Sequence, residues 1–168
     1  MHAVQDALEY LGGLESFVQP GQRVLLKTNL LTKRPPEDAV TTHPAVVTAV
    51  VHEVLRVGGK PIIYDSPGGP FTKAALESIY EVCGLAQVAR ETGAELNWNT
   101  AEVTVSAPEE ARVRNFILSQ AVSSADVIIN LPKLKSHGLT RYTGAVKNLF
   151  GCIPGLHKAE YHLQLPAL

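Results

Sequence analysis

Residues 23–65 read RVLLKTNLLTKRPPEDAVTTHPAVVTAVVHEVLRVGGKPIIYD, and the spacing of apolar residues in this stretch decides the fold. Arg23 to Asn29 is a short apolar run between the Gln19-Pro20-Gly21-Gln22 turn and an exposed polar loop running to Thr42, which predicts a buried strand. Thr42-His43-Pro44 opens a helix. Pro44 suits the first turn, Thr42 or His43 stands near the N-cap, and Val46, Val47, Val50, Val51, Val54 and Leu55 recur at helical spacing. Gly58-Gly59 ends that helix, and Lys60 to Asp65 returns as a second strand. Strand, helix and strand within this length is the pattern of a right-handed parallel crossover.

Working outward, Ala3, Ala7, Leu8, Leu11, Leu14 and Val18 predict a helix broken or ended near residue 12 by Gly12-Gly13. After the Ser66-Pro67-Gly68-Gly69-Pro70 turn, Phe71 to Cys83 and Leu85 to Thr92 read as one helix broken at Gly84 or as two short ones. Glu95 to Trp98, Glu102 to Ser106 and Arg114 to Leu118 are short strand candidates, and Asp126 to Leu131 (DVIINL) is a third buried strand. The expected architecture is α/β: a three-layer, mostly parallel open sheet with helices on both faces, of Rossmann-like kind.

With 168 residues and 45% hydrophobic side chains, the chain is expected to form one α/β domain over residues 1–168. A formal net charge of -1 and a pI near 6.6 argue against nucleic acid as a partner, because such binders carry a basic excess over the whole domain. The two cysteines, Cys83 and Cys152, exclude a disulfide framework and cannot by themselves hold an iron–sulfur cluster, which takes four thiolates. Met1 to Val18 holds Asp6, Glu9 and Glu15 and lacks the pattern of a signal peptide. No apolar run approaches the length of a membrane span, so the expectation is a cytoplasmic protein without a membrane partner.

The charge is unevenly placed. Val127 to Ala159 is a run of 33 residues without a single acid, yet it holds Lys133, Lys135, Arg141, Lys147 and Lys158 beside His137 and His157. Its glycines, Gly138, Gly144, Gly151 and Gly155, are interleaved with these cations. A concave positive surface concentrates anions, so this run points to an anion site.

Three polar clusters follow the three buried strands: Lys27-Thr28-Asn29, Asp65-Ser66-Pro67-Gly68-Gly69, and Asn130 to Gly138. In an open parallel sheet the C-terminal strand ends lie along one edge, where loops diverge and ligands bind. Lys27 is either a lysine lying along apolar surface at a strand end or an ammonium at the mouth of a cleft. Asp65 is either a loop cap or a ligand and proton-transfer group. His43 either caps its helix or donates to an anion there. In Lys133-x-Lys135-x-His137 the alternation of an extended segment puts all three side chains on one side. Thr143 to Gly151 (TGAVKNLFG) lacks the glycine spacing of a nucleotide loop, but a helix starting there would offer backbone N–H groups to the same anion, with Lys147 one turn inside and Asn148 beside it. Cys152 is either a buried thiol or a thiolate favoured by nearby cations. The spacing of His137, His157 and His162 gives no metal site.

Taken together, Lys27-x-Asn29, Thr42-His43-Pro44, Asp65-Ser66-Pro67-Gly68-Gly69, the run ADVIINLPKLKSHGLT (125–140) and the run TGAVKNLFGCIPGLHKAEY (143–161) resemble the domain of unknown function 362 family. The match spans most of the chain in order. The resemblance implies an iron–sulfur association, since many members continue into a ferredoxin-like module, and it implies that these residues are a truncated or short form of a longer domain. The family's α/β organisation is similar to the N-terminal region of lactate racemase-type enzymes, an analogy of fold that transfers no residue role.

Two functions are expected from different classes. The first is a domain that binds a small anionic organic ligand or cofactor, carboxylate or phosphate, at the strand ends. Lys27, Asn29, Ser66, Lys133, Lys135, Lys147 and Asn148 would be the binding residues, with His137, His43 and Asp65 as proton-transfer candidates, and complete members would have a redox or proton-transfer role. The second is a docking domain whose basic glycine-rich segment, with Leu149, Phe150 and Ile153 exposed, binds a ferredoxin-like partner, another subunit or the remainder of a longer chain.

Overall fold

A computed structural model describes residues 2–111, 114–138 and 141–164. The crossover read from residues 23–65 is present: β1 (Arg23–Lys27), α2 (Pro44–Arg56) and β2 (Lys60–Tyr64) follow α1 (His2–Glu9). Then come α3 (Lys73–Val82), α4 (Leu85–Thr92), β3 (Glu95–Leu96), β4 (Glu102–Ser106), β5 (Asn115–Ser119), α5 (Gln120–Ser123) and β6 (Val127–Asn130). The chain continues through β7 (Lys135–His137), β8 (Arg141–Thr143), α6 (Ala145–Leu149) and α7 (His157–Gln164).

Strands β3, β2, β1 and β6 make a four-stranded, all-parallel sheet in that order. Leu25 in β1 sits opposite Ile62 in β2 and Ile128 in β6. The chain therefore winds from β1 towards β3 in one direction and then places β6 on the other side of β1. That reversal is a topological switch point, and the loops diverge beside it. Two antiparallel hairpins, β4–β5 and β7–β8, stand outside the sheet.

Period-two alternation assigns the apolar run of β1 to two cores. Val24 and Leu26 face one side with Val47, Val51 and Val54 of α2, Leu76 and Tyr80 of α3, and Leu85 and Val88 of α4. Leu25 faces the other with Ile62, Tyr64, Ala121 and Val122 of α5, and Cys152. Both faces of β1 are covered, as expected for the centre of a doubly wound sheet whose strands read as continuous hydrophobic runs.

Local chemistry sets the element ends. His43 is the N-cap of α2, its Nδ1 accepting from the Ala45 N–H at 3.2 Å, with Pro44 first in the helix. Gly84, at φ 76°, separates α3 from α4, a backbone conformation that costs a side-chain-bearing residue more than glycine. The strand expected over Glu95 to Trp98 pairs only at Glu95 and Leu96, since Asn97 turns its amide back to Asn99. Helix α7 has no counterpart among the expected elements, because His157 to Gln164 mixes charged and apolar residues without a clear stripe. No helix among the described residues is long and apolar enough to cross a membrane.

Candidate functional site

The three polar clusters meet where the chain reverses. Lys27 ends β1, Asp65 follows β2 and Asn130 ends β6. Lys27 is fully buried, and its Nζ stands 2.6 Å from Asp65 Oδ1 while donating to the Thr28 carbonyl at 2.6 Å. Asp65 Oδ2 accepts from the Leu30 N–H at 2.7 Å. Neither group is the strand-end lysine on apolar surface or the simple loop cap that the sequence left open; each neutralises the other in the floor of the cleft. Gly151 lies directly over the pair. A Cβ there would come within 2.5 Å of Asp65 Oδ1 and 2.6 Å of Lys27 Nζ, so any side chain at this position must displace the pair.

Above this pair runs a chain of amides. Lys135 Nζ donates to Asn29 Oδ1 at 2.6 Å, Asn29 Nδ2 to Asn148 Oδ1 at 2.9 Å, and Asn148 Nδ2 to Asn130 Oδ1 at 2.7 Å. Asn130 Nδ2 closes it on the Ala145 carbonyl at 2.9 Å. Lys135 also donates to the Val40 carbonyl at 2.6 Å, and Thr42 Oγ1, which takes the Asn29 N–H, donates to the Leu131 carbonyl. Four segments far apart in sequence are thus tied together by donors and acceptors that leave none of these amides idle, which is how a buried polar network rigidifies a site.

The cleft bounded by these residues has a volume of about 630 Å3 and is lined by Lys27, Asn29, Asp38, Asp65, Ser66, Lys135, His137, Lys147, Asn148, Lys158 and His162 among others. Burial pushes the ammonium groups of Lys135 and Lys147 below the ordinary lysine range. The same effect lowers Lys158 to about 8. His137 and His162 are held below the ordinary imidazole value, first by burial and then by the nearby Lys147 charge, so both favour the neutral ring. Lys147 lies 4.7 Å from the centre of the Phe150 ring, and among the described residues it makes no hydrogen bond or ion pair. Apart from this cation–π contact it is presented to the cleft without an acidic partner among the described residues.

The structure brings together Lys27, Asn29, Asp65, Ser66, Lys135, His137, Lys147 and Asn148. It does not bring His43, which is an exposed cap outside the cleft, or Lys133, which precedes β7 and does not line the cavity. Alternation within β7 holds for Lys135 and His137, and it fails for Lys133 because the strand starts after it. Helix α6 has five residues, so the positive character of the cleft comes from side chains and not from a helix terminus. Cys152 is buried and its thiol is pushed up by that burial, which favours the structural reading over a thiolate. Ile153 is buried and Phe150 half-buried, whereas Leu149 is exposed. Lys158, His162 and Asn130 also belong to the site, although the candidate binding residues read from the sequence leave them out. Lys158 stood within the acid-free run, but its position in an unanticipated helix hid its direction.

An iron–sulfur cluster does not fit these residues. Cys83 and Cys152 are buried in different cores on opposite faces of the sheet, and no cluster of three or more His, Cys, Asp or Glu side chains suited to a metal occurs among the described residues.

The chain is 38% identical over 167 residues to the thylakoid-associated protein sll1697 of Synechocystis sp., an alignment covering 96% of this chain and 49% of that protein. The chain thus spans about half the length of the curated relative it matches. No solved structure matches it. The model of the Domain of unknown function (DUF362) family matches residues 24–167, from the first buried strand through the basic run and α7, and with these two matches the chain belongs to the DUF362 family.

Proposed function

We propose that this domain binds a small anionic organic ligand, a carboxylate or phosphate, in the cleft at the C-terminal edge of the sheet. One observation carries the reading. Lys147 projects into a cavity of about 630 Å3 with no acid spent on it, while one of the two acids lining that cavity, Asp65, is already committed to Lys27. A half-buried cation without a counter-ion is costly, and an anionic ligand relieves that cost. The volume is within the range of small-molecule sites, roughly 300–1,000 Å3. Lys135, through its bonds to Asn29 and Val40, adds fixed positive potential, and His137 is the proton-transfer candidate at the rim.

Thermal unfolding in the presence of inorganic phosphate and of succinate tests this. The midpoint should rise with either anion, by the equivalent of about 2.7 kcal/mol at a hundredfold excess over Kd, and the rise should vanish in Lys147→Ala. Equal stabilisation of both proteins would refute the site. A docking function is favoured by a separate observation, the exposure of Leu134 (76%), Val146 (87%) and Leu149 (45%) beside the cleft. On that reading anions leave the midpoint unmoved, while an acidic ferredoxin shifts the amide NMR signals of Val146 and Leu149.

A further inference from the structure

Ser66 follows the Lys27-paired Asp65 and is 2% exposed, yet it lines the cleft. Its Oγ accepts from the Gly155 N–H at 2.8 Å and lies 2.9 Å from Lys158 Nζ. Lys158 reaches back from α7 and also contacts the carbonyls of Ser66 at 2.7 Å and Pro67 at 3.2 Å. Counting protons at this cluster gives two complete solutions. As an ammonium, Lys158 has three N–H donors for the two carbonyls and Ser66 Oγ, and the Ser66 hydroxyl proton points elsewhere. As an amine, it has two donors for the two carbonyls, and its lone pair takes the Ser66 O–H. The amine form therefore loses no hydrogen bond, and the cluster is equally satisfied with the lysine neutral.

We propose that Ser66 and Lys158 form a nucleophile and general-base pair that cleaves an ester or thioester of a small anionic acyl group held in the cleft. The inference rests on the reading of the cleft as a small-molecule site. In the first step Ser66 Oγ bonds to the acyl carbon, the bond from that carbon to the leaving oxygen or sulfur breaks, and the Ser66 proton passes through Lys158 Nζ to the leaving group. In the second, water attacks the acyl carbon with Lys158 taking its proton, the Oγ–carbon bond breaks, and the proton returns to Ser66. No electron is gained or lost. A serine activated by an adjacent amine is a recurring arrangement for such nucleophiles. Burial is the main cause that disfavours the charged form of Lys158; the Asp65 carboxylate opposes it, the Lys27 and Lys147 charges add to it, and together they bring the ammonium down to about 8.

The test uses a small alkyl fluorophosphonate, which forms an Oγ–phosphorus bond with loss of fluoride and a proton. Intact-mass and peptide mapping should place one adduct on Ser66, with a labelling rate that climbs through about pH 8 as Lys158 loses its proton. Lys158→Arg keeps a donor to both carbonyls but supplies no base, and it should label at least about a hundredfold more slowly, the lower end of a general base's contribution. A wild-type protein that takes no adduct on Ser66 at pH 9 overturns the pair, as does a rate indifferent to pH or equal labelling of Lys158→Arg. The pH profile needs only the wild-type protein, so a variant that fails to fold does not shield the idea. Loss of phosphate stabilisation in Lys147→Ala with no Ser66 adduct in the wild-type protein would leave the anion site standing and remove only the dyad.

Discussion

At the scale of single residues, the cleft is built on contacts that tolerate no added atom. Gly151 passes over a buried ion pair so closely that one methyl group collides with both members. The Lys27 terminus could swing aside in solvent, but here it is enclosed and bonded to Thr28, so relief would separate it from Asp65. Breaking a buried pair leaves an uncompensated charge and costs about 3–5 kcal/mol. Gly151→Ala is therefore expected to lose stability on that order in urea unfolding at unchanged m-value, and a loss under about 1 kcal/mol would show that the pair does not depend on the glycine. Lys27 and Asp65 were each legible as polar residues at the ends of apolar runs. Their partnership was not, because nothing local to either one says that β1 and β2 are adjacent and in a register that sets Lys27 opposite Tyr64. Gly151 was legible only as one glycine among several in a basic run, since a close approach is a property of what passes beneath it.

At the scale of elements, apolar periodicity carried the reading as far as it existed. It gave β1, α2, β2 and β6 within a residue or two, and the break between α3 and α4, because each of those turns apolar residues toward the core at a regular period. It gave nothing for α7, whose place depends on polar anchors: Tyr161 Oη accepts from the Ile117 N–H at 3.0 Å, and His157 stands between Glu160 and Glu102 at 3.1 Å each. That bridge ties α7 to β4 and gives the histidines of this region opposite titrations. The Glu160 and Glu102 contacts raise His157, while burial and the Lys147 charge lower His137 and His162. A raised folded-state value means that the His157 contribution is fully present below the unfolded pKa of about 6.5 and is lost as pH climbs through the folded value. The lowered values of His137 and His162 work the other way, with a contribution present above about 6.5 and lost as pH falls through theirs. An NMR titration of the imidazole signals should find His157 protonating at the highest pH of the three, and Glu102→Gln should bring it down. If His157 titrates below His137, the bridge between α7 and β4 does not hold in solution.

Across the whole molecule, the parallel sheet has two edge strands, β3 and β6, and on the β6 side one face of the sheet loses its apolar cover. Register sets Ile62, Leu25 and Ile128 in one row on the face that packs against α5 and Cys152. Exposure along that row is 4% at Ile62, 0% at Leu25 and 40% at Ile128, so cover is lost as the row reaches β6. In sequence VIIN of β6 and VLLK of β1 look alike, and both read as buried strands; which of them is the edge is decided by winding, a property no window of a few residues contains. The open flank lies on the same side of the switch point as α6 and the cleft, since Asn130 at the end of β6 bonds to Ala145 and Asn148. The position within the row should govern the cost of truncation. Leu25→Ala leaves a cavity among packed neighbours and should cost about 2–5 kcal/mol, whereas Ile128→Ala removes atoms already partly in water and should cost under about 1 kcal/mol. Urea unfolding of the two variants compares them directly. Equal losses would mean that β6 is covered in solution by something that seats on this flank, and a repeat at increasing protein concentration would then separate a second copy, whose protection grows with concentration, from a segment of the same chain, whose protection does not.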